Sequence, residues 1–90
     1  MIECVRYTPI NKSTCEGIAT IFISKWGVEV SGIALHKKDG QRWINFPTRM
    51  IEEEGGRKYY PYIRFRESAH KDKFCELVKE AIDKKQTEEN

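Results

Sequence analysis

Apolar and polar positions alternate along the first two thirds of the chain and change to a helical period in the last third. Residues 2–9 alternate, with Ile2, Cys4 and Arg6 on one side and Glu3, Val5 and Tyr7 on the other, and they predict a strand that ends at Pro9. Asn11-Lys12-Ser13-Thr14 is a polar turn cluster. Residues 16–25 give the clearest strand, with Ile18, Thr20 and Phe22 on one face and Ala19, Ile21 and Ile23 on the other. Both faces are apolar near its middle, which predicts a central strand covered on both sides. Trp26-Gly27 makes the next turn. Residues 28–36 form a third strand whose alternation changes phase at Ser31-Gly32, the mark of a β-bulge.

Asp39-Gly40 is a hairpin turn, and residues 41–46 return as a fourth strand stopped by Pro47. Residues 48–56 read as a mobile loop, because an acidic run (Glu52-Glu53-Glu54) precedes a glycine pair. Residues 57–65 read as a fifth strand, an edge or a bent strand because Pro61 cannot donate to a ladder. Ser68 is an N-cap signal for a helix to about Lys85. Phe74, Leu77, Val78, Ala81 and Ile82 form one stripe on that helix, opposite a Lys and Glu face. The predicted fold class is α+β: a curved antiparallel sheet of about five strands with one C-terminal helix packed on it. One domain, 1–85, is expected, with 86–90 as a frayed tail.

Composition narrows the class. The chain has 90 residues, 33% of them charged and 39% hydrophobic, which fits one small soluble domain. Its ten aromatic residues are a large apolar load for a domain of this size, and a homodimer would bury part of it. The longest apolar stretch, Gly17 to Ile23, is far short of a bilayer span, and the first residues lack signal-peptide features. A cytoplasmic protein with no membrane partner is expected. Cys4, Cys15 and Cys75 are odd in number and scattered, so neither a disulfide framework nor a zinc site is expected. Cys4 and Cys75 read as small buried apolar groups.

Charge is uneven. Residues 1–66 hold 11 basic and 7 acidic groups, and residues 67–90 hold 5 and 7, so the basic excess belongs to the strands. The fifth strand is the most informative segment. Period-two geometry puts Lys58, Tyr60, Tyr62, Arg64 and Arg66 on one face over about 25 Å, and Tyr59, Ile63 and Phe65 on the other, as core. Cations that track phosphates and rings that stack on bases are what single-stranded nucleic acid needs. The same face also suits a protein-interaction module, because Tyr and Arg anchor protein interfaces and an edge strand can pair with a partner chain. Trp43 lies opposite in phase to Arg42 and Ile44 and reads as core. His36 and His70 read as solvated. The acidic run reads as a solvated surface, and the chain holds no phosphate loop. Neither enzyme activity nor a cofactor is expected, so no catalytic or metal-binding residue is named.

The chain resembles the stage V sporulation protein G (SpoVG) septation-regulator family over residues 2–83. The opening strand Ile2-Glu3-Cys4-Val5-Arg6, the segment Gly17-Ile18-Ala19-Thr20-Ile21 and the strand Val28-Glu29-Val30-Ser31-Gly32-Ile33 are similar to its strands. Trp43-Ile44-Asn45-Phe46-Pro47-Thr48-Arg49 is similar to the family's apolar strand that runs into Pro-Ser and a basic residue, and Tyr60-Pro61-Tyr62-Ile63 follows where the family has a Pro-Ile step. Met50 stands where a second basic residue is usual, so the chain would be a diverged member, of bacterial or phage type. The resemblance implies a dimeric, nucleic acid-binding regulator of transcription and carries a phosphate-contacting role to Arg49. In architecture alone, the layout also resembles the Whirly type of single-stranded DNA-binding dimers. The candidate nucleic acid-binding residues are therefore Arg49, Lys58, Tyr60, Tyr62, Arg64 and Arg66, with DNA and RNA both open as ligand.

Overall fold

The computed structural model describes residues 1–89. Four strands, β1 (Ile2–Lys12), β2 (Cys15–Ile23), β3 (Val28–Lys38) and β4 (Gln41–Asn45), form an antiparallel meander in that order. A separate two-stranded hairpin, β5 (Thr48–Glu53) and β6 (Gly56–Pro61), follows it. The chain ends in the helix α1 (Ser68–Glu89). The α+β class stands as expected. Several boundaries differ: β1 continues through Pro9 to Lys12, β3 runs on to Lys38, the acidic segment read as a loop is the strand β5, β6 stops at Pro61 rather than reaching Phe65, and α1 runs four residues past Lys85. Asn90 lies outside the described residues.

The core lies between α1 and one face of the meander. Ile21, Ile33, Leu35, Val78 and Ile82 are fully buried there. Burying each such side chain contributes about 1.5–3 kcal/mol. The helical stripe is Phe74, Cys75, Val78, Ala81 and Ile82, whereas Leu77 lies at its exposed margin. The first helical hydrogen bond runs from the Lys71 N–H to the Glu67 carbonyl, so Glu67 rather than Ser68 holds the capping position.

Bulges tune which residues reach the core. In β1, Cys4 pairs with Ile21 and Arg6 with Thr20, so Val5 is the extra residue. This phase shift puts both Cys4 and Tyr7 inside, although strict alternation separates them. In β3 the expected bulge is present: Ile33 pairs with Ala19 and Val30 with Ile21, with Gly32 at φ +79°. The two irregularities flank Thr20 from either side. β2 is central, but α1 covers only its Ala19–Ile21–Ile23 side. Its other face, Ile18, Thr20 and Phe22, is half-buried by cross-strand neighbours alone, which corrects the expectation of cover on both sides.

Asp39 (φ 53°) and Gly40 (φ 79°) form the expected β3–β4 turn, with the two positive φ angles such a turn requires. The radius of gyration is 14.1 Å, with principal extents of 46 × 31 × 22 Å. A compact chain of this length has about 12 Å. The β5–β6 hairpin buries little: its residues are exposed on both faces apart from the half-buried Ile51.

Candidate nucleic-acid interface

The hairpin is an arm held at its root. The Tyr62 N–H donates to the Pro47 carbonyl at 3.2 Å, closing the chain where it leaves and rejoins the body. Phe46, Phe65 and Phe74 pack as a triangle beneath it, with ring centroids 5.4 to 5.7 Å apart. These rings tie the end of β4, the segment before the helix, and α1 to one another. At the tip, Glu54-Gly55 turns the chain with Gly55 at φ +93°, a conformation that favours glycine.

The register defines two arm faces. Arg49 pairs with Tyr60, Ile51 with Lys58 and Glu53 with Gly56 on one. Thr48 pairs with Pro61, Met50 with Tyr59 and Glu52 with Arg57 on the other. Three of the six candidates, Arg49, Lys58 and Tyr60, therefore share a face. The Arg49 guanidinium lies 6.0 Å from the Tyr60 ring centroid. Glu53 also occupies this face. It accepts a hydrogen bond from the Tyr60 hydroxyl at 3.0 Å and an ion pair from Lys58 Nζ at 3.3 Å. On the opposite face Arg57 lies 3.9 Å from Glu52. The acidic run is thus the strand that faces the basic one, and residues 48–61 carry three basic and three acidic groups. Exposed pairs of this kind are worth only about 0–1 kcal/mol each, so a phosphate can compete for the cations.

Tyr62, Arg64 and Arg66 lie past the end of β6, in the bend that leads to α1. They are exposed and alternate with half-buried Ile63 and Phe65, so the alternation survives although the strand does not. The six candidates therefore do not form one strand face. Tyr59 is 63% exposed, which corrects its reading as core: it lies on an arm whose residues are exposed apart from the half-buried Ile51.

A second aromatic group, Trp43 with His36, lies outside the six candidates. Trp43 is 37% exposed rather than core. It stacks on His36, with ring planes 9° apart and centroids at 5.4 Å. His36 is half-buried rather than solvated, and its Nδ1 is hydrogen-bonded to Thr14 Oγ1 at 2.9 Å. The parity of Trp43 carried the signal: Ile44 is the buried residue of β4, so Trp43 must point to the outer face.

On the helix side, Arg42 grips Asp83 with two hydrogen bonds, at 2.7 and 2.9 Å. These bonds hold the Asp83 carboxyl below its ordinary value and raise that of Arg42. Burial pushes the Cys75 thiol and the Tyr7 phenol up. Cys4 is buried, whereas Cys75 is only half-buried. No helix among the described residues is long and apolar enough to cross a membrane. Comparison of the chain with protein-family models, curated proteins and solved structures finds no match.

Proposed function

We propose that the chain is a small nucleic acid-binding regulatory protein that works as a homodimer in the cytoplasm, with no catalytic step of its own. One observation carries the reading: Arg49, Lys58 and Tyr60 lie together on an exposed arm face, with the guanidinium over the ring. Cations beside stackable rings are the pairing that binds phosphates and bases. Tyr62, Arg64 and Arg66 extend the exposed basic and aromatic surface towards the helix. The resemblance to the SpoVG family supports the same class.

Fluorescence anisotropy with labelled single-stranded DNA, duplex DNA and RNA, each at low and near-physiological salt, tests it. Saturable binding that weakens with salt is expected. Arg64→Ala weakens binding and flattens the salt slope, and Tyr62→Ala weakens single-strand binding more than duplex binding. Unchanged affinity and slope in both variants refute the Tyr62–Arg66 extension, and the same result in Arg49→Ala and Lys58→Ala refutes the arm face.

A second reading has its own support. The arm carries equal numbers of basic and acidic groups, and Met50 and Tyr59 lie side by side and exposed on the face away from Arg49. That face suits a protein partner, with a second copy of the chain as the simplest one. A pull-down partner that survives nuclease treatment favours this module reading.

A further inference from the structure

Beyond the arm, a groove runs along the free edge of β4. β4 is the outermost strand of the meander, so its outer edge has no strand beside it. Two clefts adjoin there, each of about 400 Å³. The first has Trp43 in its wall and the second has Tyr59, and both include Asn45 and Lys71. The sequence of surfaces is therefore ring, amide and cation, ring. Phe46, Ile63 and Phe65 give the second cleft an apolar lining.

Trp43 is held in place on its sheet face. Its stack on His36 fixes the ring plane, and the Thr14 bond fixes His36 in turn. A ring already immobilised loses little side-chain freedom when a second flat group lies on it. Charge favours an anion, though narrowly. Arg42, Lys71 and Lys79 line the groove against Asp72 and Glu76. Arg42 is paired with Asp83 and Lys79 with Glu76, whereas Lys71 is in no ion pair among the described residues. Lys71 sits where the two clefts meet.

We infer that this groove is a binding site for unpaired nucleotides: one base stacks on Trp43, another reaches Tyr59, and Lys71 meets the phosphate between them. The site lies apart from the Arg49–Lys58–Tyr60 face, because Tyr59 and Tyr60 point to opposite sides of the arm. It rests on the nucleic acid reading and specifies it as single-stranded. A duplex keeps its bases stacked on one another and has no free ring faces to offer.

The test uses the whole protein with Trp26→Phe, so that Trp43 is the sole indole. Oligodeoxythymidylate is titrated at low salt while Trp43 emission and the anisotropy of a labelled copy are followed together. Saturable quenching of Trp43 in step with the anisotropy is expected. Trp43→Leu and Tyr59→Ser each raise the single-strand Kd about 5- to 150-fold, the range for loss of one stacking ring. Trp43→Phe restores most of the affinity, and duplex affinity does not move in any variant. A bound oligonucleotide that leaves Trp43 emission unchanged overturns the groove and leaves the arm reading intact. No binding of any probe overturns the nucleic acid reading and the groove with it. If Trp43→Leu does not fold, the quenching and the Tyr59→Ser measurement still decide.

Discussion

Replacing Gly17 by alanine tests how closely β1 lies on β2. A Cβ at this position would fall inside contact distance of Tyr7 Cζ and Oη, and would lie 2.8 Å from the Thr8 carbonyl oxygen. The ring belongs to a core residue, and the carbonyl belongs to the strand paired with β2, so neither is a loose side-chain end. Overpacking of this kind costs about 2–3 kcal/mol. Alanine also lowers the freedom of the unfolded chain, which offsets about 0.4–1 kcal/mol. The net loss is about 1–2.5 kcal/mol, a fall in Tm of about 5–20 °C for a domain of this size. Thermal unfolding followed by circular dichroism reads it directly. A cycle with Tyr7→Leu isolates the cause, because that change removes the ring but not the carbonyl. The double variant is expected to be at least about 1 kcal/mol more stable than the sum of the single losses. A Gly17→Ala protein that melts at or above the parent temperature, or a strictly additive cycle, refutes the argument.

Three further outcomes follow from the same geometry. Asp83→Asn lowers the urea midpoint at neutral pH by no more than about 1 kcal/mol of stability, since Asp83 is half exposed. Its folded carboxyl lies below the unfolded value, so the contribution is present above the unfolded value and lost as pH falls through the folded one; the stability difference between parent and variant should shrink steadily as the pH is lowered through the carboxylate range. Ile82→Val, at a fully buried position, costs about 0.5–1.5 kcal/mol, and a urea midpoint equal to the parent's would contradict the core assignment. In hydrogen exchange on dilute protein, residues 48–61 take up deuterium well before residues 17–23; equal protection would mean that the arm is not exposed as described, and protection rising with concentration would place it in a homodimer contact.

How far the sequence could be read depended on whether a second layer lay beneath each segment. β2, β3 and α1 each press one face into the core, so their periods were visible and their partners followed. β5 and β6 bury almost nothing, so no apolar period marks them. Glu52 and Glu53 then looked like loop residues, and Tyr59 was assigned to a core that the arm does not have. Tyr7 was placed on the wrong side of β1 for another reason: the extra residue at Val5 changes the phase, and no glycine marks the spot as Gly32 does in β3. Among the candidate site residues, Lys58 and Tyr60 share a face by the parity of their own strand, whereas Arg49, named through the family resemblance, joins them only through the β5–β6 register. The Trp43–His36 stack was within reach too, since the Asp39-Gly40 turn sets His36 opposite Trp43, but reading Trp43 as core hid it.

The projecting arm also separates two kinds of selection. Exchanges within residues 48–61 disturb almost no buried surface, so they cost the folded body little. The meander and helix can stay constant while the arm drifts, its sequence answerable only to whatever it touches. New specificity can thus arise here by point substitution, or by grafting another hairpin between Pro47 and Tyr62, without compensating changes in the core.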